Sequence, residues 1–235
     1  MIDPNIEFFP LKWLTPQIVA PGKVNAVMSG PQPLDGAPQT VQSGAGRWKI
    51  AYRNMRMRAS GILVARAFLS RISVPVTPAY VSPADWLRSP RILAGLPSNA
   101  SAVTFSDASV YSDGTRMSDT TPDFQLTNAV AAMASTITVT PLTSGLMLQG
   151  GQIIGIDERM HEIVSAVADD AGGTSNQILT IWPPTRAAYA AGLTIESENP
   201  FCRMVLDPKS AALAPEIAFG RYAYFDLTFV EDDWN

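Results

Sequence analysis

Few side chains in this sequence are of the types that perform covalent or metal chemistry, and their spacing narrows the choice further. His161 is the only histidine and Cys202 the only cysteine. His161 lies in the stretch MHEIVSAV, where it alternates with apolar neighbours. That setting favours a hydrogen-bonded structural side chain over a general base or metal ligand. A site built on one histidine would need Asp and Glu for its remaining ligands, and no HExxH spacing occurs. Cys202, close to Phe201 and Met204, reads as a core residue. A Cys–His nucleophile would rest on that single unsupported pair. No serine is framed as G-x-S-x-G. Gly150-Gly151 and Gly172-Gly173 read as turn glycines and do not build a phosphate loop.

Carboxylates are the one abundant reactive group. Glycoside hydrolysis needs two of them about 5–9.5 Å apart, and the chain has 21 acidic residues. Most fall in turn-like stretches, which speaks against a catalytic pair. A local repeat places Phe105-Ser106-Asp107, Tyr111-Ser112-Asp113 and Met117-Ser118-Asp119 six residues apart. A calcium loop of the EF-hand type needs alternating ligands, a central glycine and a terminal glutamate, and this is a different pattern. Serine- and aspartate-based turns, each presenting one apolar anchor, fit it better. The expectation is a protein that is not an enzyme and uses no metal or cofactor.

Composition bounds what such a chain does instead. Charged residues make up 16% of the sequence, against roughly 25% in an average soluble domain. So sparse a charge leaves a surface of neutral polar residues or one covered by other protein, and both readings stand. Net charge is -4. Arg56, Arg58, Arg66 and Arg71 are spread along one stretch without forming a run, so nucleic acid is not an expected partner. A lone cysteine excludes an intramolecular disulfide. The N-terminus MIDPNIEFFPLKWLTP lacks the basic and long apolar regions of a signal peptide. No window approaches the roughly 18 apolar residues of a membrane span. Folding in the cytosol without membrane insertion is expected.

The elements that position these residues are mostly strands. Seven prolines between Pro4 and Pro38 exclude a helix over residues 1–46. An edge strand followed by an arm lying on a neighbour is one reading there, an irregular loop the other. GRWKIAYRNM (46–55) alternates as a half-buried strand, with Trp48, Ile50 and Tyr52 on one face. Ile62, Ala65, Phe68, Leu69 and Ile72 recur at helical spacing over 59–72, and Pro75 stops that helix. Residues 75–125 read as loop. Strands are expected over 135–141, 150–156, 160–167, 176–183, 193–197 and 202–206, with hairpin turns at Asp157-Glu158 and Asp169–Gly173. A short helix is expected over 183–192. Near the end, Phe225, Leu227 and Phe229 share one strand face.

The predicted fold class is mostly β (α+β): an antiparallel sheet with one packed helix, plus an inserted small β-barrel or β-sandwich module. The expected organisation is an N-terminal sheet-plus-helix domain with an extended arm (1–130), a small barrel-like module (131–206), and a C-terminal strand (207–235). That last strand would return to pair beside 46–55.

Residues 144–206 carry a resemblance. Gly151-Gln152 leads to a strand–turn–strand containing His161. Ile181-Trp182-Pro183-Pro184-Thr185-Arg186 follows, then a closing strand with Pro200 and Arg203. This succession is similar to a module of distal-tail or baseplate-associated proteins of siphophages. The Gly46-Arg47-Trp48 strand, the AFLSRI helix and the Ser-Asp repeat fit the same family, whereas 1–45 and 207–235 fit it poorly. Where the family commonly has an aromatic residue after Gly-Gln, this chain has Ile153-Ile154-Gly155-Ile156. The resemblance implies a virion tail component, assembled in the host cytoplasm. It would be a ring subunit, often hexameric, joining the tail tube to baseplate hub or receptor-binding proteins. Trp48, Trp182, Pro183, Pro184, Arg186 and Arg203 are then structural residues. Trp182 would fill the space beneath its strand end, the prolines would fix the exit, and Arg186 would pin the turn. The competing reading is a carbohydrate-binding module contacting a host glycan, with Tyr189, and less certainly Trp182, exposed along a groove. A cell-wall hydrolase is the third.

Overall fold

The computed structural model describes residues 3–24, 27–29, 40–42, 46–73, 77–96, 102–103, 117–118, 122–169, 175–207, 216–218 and 222–232. The fold is mostly β and divides into two compact units. Unit 1 comprises Met1–Ala84, Glu158–Met160 and Phe201–Asn235, and unit 2 comprises Asp85–Asp157 and His161–Pro200. These bounds differ from the expected 1–130, 131–206 and 207–235. The physical reason lies in strand pairing: Phe124–Leu126 completes the barrel, and Cys202–Leu206 pairs inside the other sheet.

Unit 1 is built on a mixed sheet. Its strands run in the order Glu7–Phe8, Ala79–Val81, Cys202–Leu206, Tyr222–Glu231, Arg47–Met57 and Ile18–Val24, with Glu216–Ala218 also pairing Tyr222–Glu231. The C-terminal strand lies antiparallel to Arg47–Met57, Phe229 opposite Ile50. Both strands alternate as their sequences require, so Trp48, Ile50, Tyr52, Leu227 and Phe229 are buried. One bulge interrupts the pairing: Phe225 faces Met55 but Leu227 faces Tyr52, so two residues, Arg53 and Asn54, oppose Asp226. Asn54 adopts φ 51° there, a left-handed conformation that asparagine tolerates well. Its amide donates to Asp226 Oδ1 at 2.7 Å.

The helix Ala59–Ser73 buries Ile62, Ala65, Phe68 and Ile72, with Leu69 half-buried. Pro75, expected to stop it, lies outside the described residues. Phe9 connects helix and sheet: its ring stacks on Tyr52 at 4.6 Å and meets Phe68 and Phe229 edge-on. Ile18–Val24 is an edge strand of this sheet, and most of the arm expected after it lies outside the described residues. Ile6, Phe9 and Leu14 are buried, because leaving them in water would cost about 1.5–3 kcal/mol each. The segment expected as loop over 75–125 also contributes Ala79–Val81, which runs parallel to Glu7–Phe8 inside the sheet. Of the Ser-Asp repeat only Met117-Ser118 is described, as a short strand paired with Ala102–Val103.

Unit 2 is a closed barrel. Around it run Thr136–Pro141, Gln177–Trp182, Arg159–Ala168, Ile153–Ile156, Thr194–Glu196 and Phe124–Leu126. Closure removes exposed strand edges. Its interior is packed with apolar side chains, among them Phe124, Val139, Leu148, Ile154, Ile163, Leu179 and Ile195. A short helix, Pro90–Leu93, precedes the barrel strands and is capped by Ser89. It is tied to the barrel by Arg91, whose guanidinium holds Asp123 at 2.7 and 2.8 Å. Thr143 donates to the same carboxylate at 2.8 Å.

The helix expected over 183–192 does not form. Tyr189 and Val130 exchange both backbone hydrogen bonds at 2.8 and 2.9 Å, Thr185 donates to the Ala134 carbonyl, and Gly192 to that of Leu126. Backbone donors committed to another segment cannot close helical turns.

Candidate functional site

The charged residues that strand patterning places indoors form the most distinctive polar feature of unit 1. Glu158, Arg159 and Glu231 are all buried. Asp157 takes the tight turn at φ 57°, and the three residues after it, Glu158–Met160, belong to unit 1. Tyr80 donates to Glu158 Oε1 at 2.6 Å, and the Asp3 amide donates both to that oxygen at 3.0 Å and to the Tyr80 hydroxyl at 2.8 Å. Arg159 donates to Glu231 Oε1 at 2.6 Å and to the Asp232 carbonyl at 3.1 Å. The second oxygen of Glu231 accepts the Trp48 amide at 3.0 Å.

Two of the expected structural residues join this network. Trp48 is buried and its indole donates to the Met160 carbonyl at 2.7 Å. Arg203 pairs with Asp232 at 3.1 Å, while its amide donates to the Glu158 carbonyl at the same distance. Burial, and next the hydrogen bond to Glu158, push the Tyr80 hydroxyl up to about 12. Burial likewise raises the Tyr52 phenol well above its usual range. These carboxylates hold strands, a turn and the N-terminal segment in place through named protein donors. A buried carboxylate that accepts two such bonds is geometrically committed.

The other four expected residues lie in unit 2. Trp182 ends its strand opposite Glu162 and is half-buried. Pro183 is buried, and its carbonyl accepts a 2.6 Å hydrogen bond from His161 Nδ1, so that nitrogen carries the proton. His161 itself is buried. Pro184 and Arg186 are half-buried. Thr185, which sequence reading passes over, holds this turn through its hydroxyl. Its hydroxyl accepts the Ala134 amide at 3.0 Å and donates to the Ala131 carbonyl at 2.7 Å. Thr185→Val should therefore destabilise unit 2 by about 1–3 kcal/mol. Thr185→Ser, which keeps the hydroxyl, should lose clearly less; urea denaturation of both variants measures the difference.

Tyr189, expected along a groove in the glycan reading, is buried among the barrel's apolar side chains. Among the described residues no group of three His, Cys, Asp or Glu side chains is arranged to hold a metal ion, and no helix is long and apolar enough to cross a membrane. The sequence matches no family model and no curated protein at a significant level.

Proposed function

We propose that this chain is a non-catalytic structural subunit of a bacteriophage tail tip or baseplate. It forms a ring that connects the tail tube to hub or receptor-binding proteins. The observation that carries this reading is the commitment of the unusual residues to architecture. The Trp182–Arg186 turn, on which the resemblance to siphophage distal-tail proteins rests, is held by Thr185 and His161. The buried acids of unit 1 are held by Tyr80, Arg159 and backbone amides. Tyr189, the aromatic most needed for a sugar-binding groove, is spent on barrel packing. That weighs against the carbohydrate-binding alternative.

Gold-labelled antibody against the full-length protein, applied to tailed particles that encode it, tests the proposal. Label confined to the distal tail end is expected. Label on heads, along the tube or on no particle would overturn the reading.

A further inference from the structure

Charge is divided unevenly between the two units. Unit 1 carries 13 Lys and Arg against 10 Asp and Glu, whereas unit 2 carries 4 against 11. Within unit 1 the basic residues are concentrated: residues 36–84 hold seven of them and no acidic residue. A chain with a modest net charge of -4 thus contains one basic unit and one strongly acidic unit.

Each unit also exposes apolar side chains beside its own sign of charge. In unit 1, residues 7–13 follow the helix Ala59–Ser73. Glu7 pairs with Arg71 near one end, and the Trp13 carbonyl lies so close to Gly61 near the other that a Cβ there would sit 3.2 Å from it. This brings Trp13, 50% exposed, beside the first helical turns, where Leu63 is 66% exposed. Exposed Arg58 and Arg66 flank Leu63, one at the helix start and one a turn beyond. In unit 2, Ile163 and Ala166 of the strand Arg159–Ala168 pair with the inward residues Ile181 and Leu179. The outward row is therefore Glu162, Val164, Ser165 and Val167, followed by Asp169. The register shift between Ile163 and Ser165 turns Val164 outward as well. Val164 and Val167 are 58% and 61% exposed, and Val167 sits opposite the exposed Ile178.

We propose that the basic–apolar face around Leu63 and Trp13 of one copy docks on the acidic–apolar outer barrel face around Val164 and Val167 of a second copy. The occupant follows from charge complementarity. Apolar side chains supply contact area at both faces, and opposite net charges steer encounter and fix the pairing. The contact is heterologous: each copy keeps one face open after binding, so repetition gives a closed ring or an open filament. Only closure into a ring rests on the scaffold reading above.

Light scattering and sedimentation on the full-length protein at about 50 and 500 mM salt test this contact, since screening at the higher salt shortens the reach of exposed charges to a few ångströms. The wild type should self-associate, and more weakly at high salt. R58E/R66E and E162K/D169K should each raise the apparent Kd roughly tenfold or more. Mixing the two variants should restore association, because each then offers the other an opposite charge at both faces. Association that ignores salt and both reversals would overturn this contact while leaving the tail assignment, tested by particle labelling, untouched. A monomer at every concentration would overturn it too. Salt-labile association abolished by nuclease would make the basic face a nucleic-acid surface instead, and would likewise overturn it.

Discussion

Arg159→Met should destabilise unit 1 by about 3–5 kcal/mol, the usual cost of stranding one member of a buried ion pair. The two side chains are 8% and 1% exposed and 2.6 Å apart. Without the guanidinium, Glu231 keeps the Trp48 amide on one oxygen and loses its cationic partner on the other. The Asp232 carbonyl loses a donor as well. Arg159→Met combined with Glu231→Leu should be less destabilised than Arg159→Met alone, because no unpaired charge then remains indoors. Recovery should be incomplete, since the double change strands the Trp48 amide at about 1–3 kcal/mol. Urea denaturation, with the environment of Trp48 followed by fluorescence against a Trp48→Phe background, measures both variants. A double variant as unstable as the single one would mean that the pair itself, and not the uncompensated charge, dominates.

The placement of this pair shows what the sequence could and could not reveal. Glu231 continues the parity of Phe225, Leu227 and Phe229, so its burial was legible from alternation. Asp157-Glu158 reads as a hairpin turn, and the turn exists with Asp157 at φ 57°, but turn chemistry says nothing about whether the tip meets water or protein. Tyr80 and Glu231, the partners of Glu158 and Arg159, lie 78 and 72 residues away in the chain, beyond any local pattern. The long strand at 47–57, the helix at 59–73 and the barrel strands other than Phe124–Leu126 carry strong periodicity and are placed from it. Ala79–Val81, three residues between prolines, was too short to show a period. The segment 183–192 was misread for the complementary reason. Proline entry and an alanine-rich run favour a helix locally, while backbone bonds to residues 126–134 decide the outcome.

The domain boundaries followed from the same limitation. The short strand Phe124–Leu126 gives no sign in its sequence that it closes a barrel with Thr194–Glu196 and Thr136–Pro141. Closure is a property of pairing between distant segments, and pairing leaves only weak marks on each strand alone. The structural residues separate along the same line. Trp48 and Arg203 were singled out one by one, yet both serve a network that includes Glu158, Met160, Glu231 and Asp232.

Raising the pH from 10 to 12 should remove stability from unit 1 in proportion to its buried phenols. Tyr80 ionises at about 12 in the folded chain against 10.0 for an ordinary tyrosine, and Tyr52 is raised further still. Below pH 10 both phenols are protonated in the folded and unfolded states, so their stabilising contribution is fully present. Above pH 10 the unfolded chain releases protons that the folded chain retains, and stability falls as pH climbs toward the folded values. Each phenol contributes a slope of about 1.4 kcal/mol per pH unit in that window. Tyr80→Phe should roughly halve the loss between pH 10 and 12, and it should lower stability at pH 8 through the missing donor to Glu158. Urea midpoints of wild type and Tyr80→Phe at pH 8, 10 and 11.5 separate the two effects. Parallel declines would show that burial and Glu158 do not keep the Tyr80 hydroxyl protonated in the folded chain. A shallower decline in the variant would show that the buried Tyr80 phenol keeps its proton in the fold, while the difference at pH 8 reports the bond to Glu158.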